Sequence, residues 1–183
     1  MDSALMNKIA SLLVAAFLCF VTPSIVHALF GSGDKPQPGT SATSFIAPLL
    51  EGGDLDLGQH LGNDVILLDF WSIYCVACME EMPKVVEIYE RYKENGFVVV
   101  GVNLDSFGTK RVVRFVKGLE YTIPFPLVID KRREVAGDYA VSVLPTTILI
   151  DRQGKVLDYH VGYAPGDEAK LEEKVKQALG EGH

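Results

Sequence analysis

The chain has 183 residues, a formal net charge of -7, 48% hydrophobic residues and 22% charged residues. Such a length supports one core that folds without disulfide staples, and the composition is that of a globular protein. With an acidic balance and no basic run to neutralise phosphates, nucleic acid is excluded as an expected partner.

The chain opens on an apolar leader. Lys8 is followed by IASLLVAAFLCFV, Ile9 to Val21, which carries no charge, and then by Pro23, Ser24 and Val26-His27-Ala28. Short residues at Val26 and Ala28 suit signal-peptidase cleavage after Ala28, so residues 1–28 are expected to be a signal peptide. The alternative is a retained anchor: residues 9–30 are uncharged and long enough to tether the chain to a membrane, although Pro23 interrupts them. Cys19 reads as one more apolar residue of this segment, because Phe17 and Leu18 are large where a lipidated cysteine needs small neighbours. Either reading places the folded part outside the cytoplasm, where disulfides persist. Residues 29–44, containing GSGDKPQPGTSATS, read as a flexible linker. One compact unit is expected over residues 45–183, with no internal repeat.

VILLDF, Val65 to Phe70, is a short apolar run that predicts a buried strand. From Cys75 the period turns helical, with Met82, Val85, Val86, Tyr89 and Tyr92 on one face and Glu80, Glu87, Glu90 and Lys93 off it. Gly96 predicts the stop, and Pro83 inside the pattern predicts a kink. FVVVGVNLD, Phe97 to Asp105, is a second predicted strand. TKRVVRFVKGL, Thr109 to Leu119, predicts an amphipathic helix with a solvated basic face. FPLVID, Phe125 to Asp130, predicts a strand, and Lys131 to Tyr139 a short helix. TTILID, Thr146 to Asp151, and KVLDYHVG, Lys155 to Gly162, flank Arg152-Gln153-Gly154 as a hairpin. Asp167 to Leu179 closes the chain as a helix with Leu171, Val175 and Leu179 inward. Strands alternating with helices before a terminal hairpin predict an α/β sandwich with a mixed sheet.

Two of the three cysteines sit in WSIYCVACMEEMP, Trp71 to Pro83. Cys75 falls where a strand gives way to a helix, and free N–H groups and partial positive charge at a helix N-terminus favour a thiolate. Cys78, three residues on, comes close enough to close a disulfide or to resolve a mixed one. A structural zinc site would need a second Cys or His pair, and His60, His160 and His183 are unpaired in sequence, so no metal is expected. A purely structural disulfide would close too short a loop to add much stability.

The segment D-F-W-x-x-x-C-x-x-C, Asp69 to Cys78, with Pro83 eight residues after Cys75, resembles the active site of thioredoxin-fold proteins. With Glu81 it is similar to the W-x-x-x-C-x-x-C-x-x-E-x-P pattern of the TlpA/ResA-like branch, exported or membrane-tethered reductases of which several serve cytochrome c maturation. VSVLPTTILID, Val141 to Asp151, resembles the cis-proline loop and the strand after it. The likeness covers nearly all of the chain from Phe45 to Leu179. It implies a thioredoxin-like sandwich, a central mixed sheet flanked by helices, with an N-terminal extension and a central insertion.

The resemblance also implies roles. Cys75 and Cys78 are the redox pair, and no cofactor is expected beside their disulfide. Pro145 is the cis-proline opposite them, and the Leu144 backbone pairs with a substrate strand. Trp71 supports the cysteine loop and is grouped with Tyr74, Leu144 and Pro145 as substrate-binding, Tyr74 forming part of the rim beside Cys75. Asp69 is expected to be buried with a raised pKa and to lead in accepting the Cys78 proton, with Glu81 assisting. The implied partners are a membrane thiol donor and disulfide proteins such as apocytochrome c.

The chain departs from the family at three places. No proline precedes Cys78, no histidine stands in the Val76-Ala77 spacer, and Val143 replaces a frequent glycine before the cis-proline. A buried acid near Cys78 together with this neutral spacer favours a reductant over an oxidase or isomerase. A peroxiredoxin is disfavoured by the residues flanking the cysteines. A copper-binding chaperone would want a longer cysteine spacing and a nearby histidine, for which His160 is a poor substitute.

Overall fold

The computed structural model describes residues 34–180. The expected signal peptide 1–28, the span 9–30, Cys19, the start of the linker and His183 lie outside the described residues. The elements in chain order are β1 (Ile46–Pro48), β2 (Asp54–Asp56), β3 (Val65–Trp71), α1 (Val76–Tyr92), β4 (Phe97–Asn103), α2 (Thr109–Lys117), β5 (Leu127–Ile129), α3 (Glu134–Asp138), β6 (Thr146–Ile150), β7 (Val156–Val161) and α4 (Asp167–Leu179). Short 3₁₀ turns at Leu57–Gln59 and Lys93–Asn95 precede β3 and β4.

Every residue of β3 is buried, as a strand at the centre of a sheet covered on both faces must be. β3 and β5 flank β4 in parallel, while β6 lies antiparallel to β3 and β7 antiparallel to β6. The order β5-β4-β3-β6-β7 is the mixed sheet the sequence predicts. Alternation along β3 sorts the core into two halves. Ile66, Leu68 and Phe70 pack with Leu55, Leu57, Val135 and Ala136, from β2, the turn after it and α3. Val65, Leu67 and Trp71 pack with Cys78, Met82, Val85, Val112 and Val175, from α1, α2 and α4. Asp69 shares this second face.

Three local expectations change. β1 and β2 form an antiparallel hairpin that the sequence does not announce, because three-residue strands are too short to show a period. The buried stripe of α1 is Cys78, Glu81, Met82, Val85, Ile88 and Tyr92, so Ile88 and Glu81 are inside while Val86 and Tyr89 are half-buried. Pro83 lies within α1, and the helical run ends at Gly96 with φ 83°, where the sequence places the stop.

The third change concerns the expected linker. From Gly39 onward it is docked on the sheet. Gly39 N–H donates to Val156 O at 2.8 Å, Val156 N–H to Thr40 O at 2.9 Å, and Ala42 N–H to Gly154 O at 2.9 Å. Tyr139 Oη donates to Thr43 O at 2.6 Å. The compact unit therefore begins ahead of residue 45. The physical reason is the outer edge of β7, whose unpaired backbone groups need a cover that composition alone does not reveal.

Gly101, in β4 opposite Asp69, leaves the least room for a side chain of the described glycines. A Cβ there would stand 2.5 Å from Leu127 Cδ2 and 3.3 Å from Trp71 Nε1. Gly101→Ala must displace Leu127 and press on Trp71, and is expected to cost about 1–3 kcal/mol. A lower urea midpoint with an unchanged slope would show it; an unchanged midpoint would mean that the Leu127 side chain yields freely.

Candidate active site

β3 ends in the core, and the chain must leave the sheet edge before α1 can start. Asp105, just past β4, holds that connection. Its carboxylate accepts from Ser72 Oγ at 2.6 Å, from Ile73 N–H at 3.0 Å and from Asn103 Nδ2 at 2.7 Å. Asp105 N–H donates to Asn103 Oδ1 at 3.1 Å, and Leu104 N–H to Trp71 O at 3.0 Å. Asn103 and Asp105 are buried, so these bonds act in a medium that strengthens them. Sequence reasoning passed over Ser72, Asn103 and Asp105. The available signal was two polar residues at the end of an apolar strand, N-x-D in FVVVGVNLD.

The tethered loop delivers Cys75 to the N-cap of α1. Its Sγ accepts from Cys78 N–H at 3.2 Å. The two cysteines are joined by a disulfide, with Cα atoms 5.2 Å apart. Cys75 is half-buried, whereas Cys78 is almost wholly enclosed. One sulfur is open to attack and the other sheltered, the asymmetry that exchange through a mixed disulfide needs.

The remaining residues singled out from sequence separate into two groups. Tyr74 is 62% exposed, and its Oη accepts from Arg111 Nη1 of α2. The Leu144–Pro145 peptide is cis. Leu144 is half-buried and packs against both halves of the core, and Thr146 Oγ1 fixes the loop by donating to Val143 O at 2.8 Å. Trp71, grouped with the substrate contacts from sequence, has no exposed surface. It packs with Cys78 and Met82 beneath the loop, so it supports the site from inside and offers no contact to a substrate.

Asp69 and Glu81 are two further buried acids, and unlike Asp105 they are poorly supplied with hydrogen bonds. Neither carboxyl oxygen of Asp69 has a hydrogen-bond partner among the described residues, and Glu81 Oε2 has none either. Burial pushes the Asp69 carboxyl up to about 7. Burial, then the charges of Asp69 and Asp167, push Glu81 up to about 9. The two titrate as a pair. It holds a proton through the neutral range because two carboxylates cannot both be charged in so little water. Tyr121, after α2, also buries its hydroxyl without a partner among the described residues, and its pKa is raised by burial and by Asp69.

This burial has a consequence for stability. A carboxyl whose folded pKa is raised stabilises the fold fully below its unfolded pKa, near 4, and loses that contribution as pH rises through 7. Asparagine mimics the protonated form. Asp69→Asn is therefore expected to flatten the fall in unfolding free energy between pH 4 and pH 8, leaving the variant more stable at pH 8 by at most on the order of 4 kcal/mol. Parallel pH profiles for the two proteins would show that Asp69 titrates normally.

Comparison with known proteins places these features. Residues 38–159 match the model of the AhpC/TSA family. A thiol-disulfide oxidoreductase ResA of Bacillus cereus is 36% identical over 140 residues, covering 76% of this chain and 78% of the relative. ResA of Halalkalibacterium halodurans is 37% identical over 133 residues, covering 73% of each. Among solved structures, a Chlorobium tepidum protein described as a thiol:disulfide interchange protein DsbE superposes with a TM-score of 0.73 at 34% identity, over 79% of this chain and 99% of its own. With a thioredoxin-like sheet, a sheltered Cys78 and an accessible Cys75, the chain belongs to the AhpC/TSA family and, within it, to the ResA-like thiol-disulfide oxidoreductases.

Proposed function

We propose that the protein is an exported disulfide reductase, acting on disulfide proteins such as apocytochrome c and drawing electrons from a membrane thiol donor. The observation that carries the direction is the pair of buried acids on the sheet face that Cys78 covers. An acid pair in apolar surroundings disfavours a second negative charge, so the thiolate form of Cys78 is poorly stabilised. A less stabilised reduced form is the stronger reductant. The Val76-Ala77 spacer adds no charge or side-chain hydrogen bond that would offset this. Export rests on the leader 1–28, and the expected location is periplasmic or otherwise extracytoplasmic. If the leader is retained, its 9–30 stretch is the tether.

In the dithiol form, the Cys75 thiolate attacks one sulfur of a substrate disulfide. The substrate S–S bond breaks, one substrate thiolate leaves and takes a proton from water, and Cys75 is bonded to the other substrate sulfur. Cys78 then gives its proton to Asp69, with Glu81 assisting. The Cys78 thiolate attacks Cys75 Sγ, the bond to substrate breaks, and the second substrate thiolate leaves. Two electrons have passed to the substrate, and the Cys75–Cys78 disulfide remains for the donor to reduce. The Leu144–Pro145 loop would receive the substrate as an added strand, and Tyr74 would form the rim beside Cys75.

A redox titration of the purified domain against glutathione or dithiothreitol tests the direction. A potential near about -270 mV supports the reductase, and one near about -120 mV removes it in favour of an oxidase. Stoichiometric retention of copper without redox cycling would favour a metal carrier. Asp69→Asn tests the proton acceptor: turnover on a disulfide peptide at pH 7 should fall about a hundredfold. An unaltered rate across the pH range would take Asp69 out of the mechanism.

A further inference from the structure

A proton given to Asp69 and Glu81 must still leave, and neither side chain reaches bulk water: they are 1% and 5% exposed. The strand registers show where it can go. Asp69 of β3 stands opposite Thr147 of β6, and Thr147 stands opposite His160 of β7. Directly paired residues point to the same face, so the three side chains form one row across the sheet. Adjacent strands are about 4.8 Å apart, which puts His160 roughly 10 Å from Asp69 with Thr147 between them.

Two members of that row, Thr147 and His160, border a cavity that Glu81 also lines. It measures about 40 Å³, lies between α1, α4 and the β6–β7 hairpin, and is lined by Glu81, Thr147, His160 and Asp167 among others. That volume accommodates about two or three waters. Two polar atoms of its lining residues lack a protein hydrogen-bond partner among the described residues. His160 Nε2 is buried without a hydrogen-bond partner among the described residues, like Glu81 Oε2. It lies 3.4 Å from Asp167 Oδ2 but is not aligned for a hydrogen bond, and Asp167 is engaged by Lys170 Nζ at 2.8 Å. The His160 side chain is nevertheless 39% exposed while Nε2 is buried, so the ring spans from the cavity wall to solvent. A hydroxyl can donate and accept at once, and an imidazole carries protons at either nitrogen.

We propose that His160 is the solvent-side proton relay of the redox site, connected to the Asp69–Glu81 pair through Thr147 and water in the cavity. On oxidation of the dithiol, the proton leaving Cys78 passes from the carboxyl pair to His160 and from its outer edge to buffer. When the disulfide is reduced again, the path runs in reverse and returns that proton to Cys78. No electron travels along this route. His160 is thus a positioning and relay residue that acts through the acids, and this role rests on their assignment as proton acceptors.

The test uses the parent and two variants, His160→Ala and His160→Gln, with dithiothreitol as reductant and a disulfide-bonded peptide as substrate. Trp71, the single tryptophan, packs with Cys78 and reports the redox state by fluorescence. In dilute buffer without imidazole, both variants should exchange about tenfold more slowly than the parent, less than the full effect of losing a general base. Added imidazole should restore the rate of His160→Ala. The rate of the variants should also show a larger solvent isotope effect in deuterium oxide. A parental rate in both variants, or a slow rate that imidazole does not raise, overturns the relay while leaving the reductase intact. Unfolding midpoints matching the parent's separate a relay defect from a structural one. A parent that does not exchange with the peptide removes the reductase reading, and the relay with it.

Discussion

The burial of one aspartate in an otherwise apolar strand sets the terms for the rest of the site. β3 is the central strand, so Asp69 has almost no direct contact with bulk water. An ionised carboxylate there would be very costly, and the group stays protonated to higher pH instead. Glu81 descends from α1 onto the same face and meets the same desolvation, to which Asp69 adds its own charge. The packing that shelters Cys78 therefore also buries both acids and raises their proton affinity. Shelter and proton affinity have a single cause, the tight covering of one sheet face by α1 and α4.

The exposed half of the site is built differently. Cys75 owes its position to hydrogen bonds, with Asp105 gathering Ser72, Ile73 and Asn103 around one carboxylate. A loop whose backbone donors are satisfied in this way starts the helix at a fixed place, and the sulfur becomes the cap of the first turn. Gly101 serves both halves. Without a side chain it lets Trp71 and Leu127 close over the sheet next to Asp69. The site is thus a hydrogen-bonded loop above a buried floor, with a cavity beside Glu81.

Several features were legible in the sequence because they depend on local pattern. The apolar run of β3, the helical period from Cys75 and the closing helix Asp167–Leu179 appear where the periods place them. The cysteine spacing and the run into Pro83 carried the family. The hairpin β1–β2 was not legible, since strands of three residues display no period. Nor was the docking of Gly39 to Thr43, because a segment rich in glycine and proline reads as a tether until an open strand edge is there to bind it. Trp71 shows the limit for single residues: its place in the motif was clear, but total burial was decided by what packs over it.

The sequence by itself determined the identity of the redox pair, the order of the elements and the presence of an acid in the central strand, all properties of neighbours along the chain. Only the tertiary structure decided that Asp105 holds the cysteine loop, that Glu81 joins Asp69 in one buried pair, and that Asp69, Thr147 and His160 align across three strands. These residues lie far apart in sequence. What brings them together is the register of β-strand pairing, which is set by how whole faces of the sheet bury their apolar side chains.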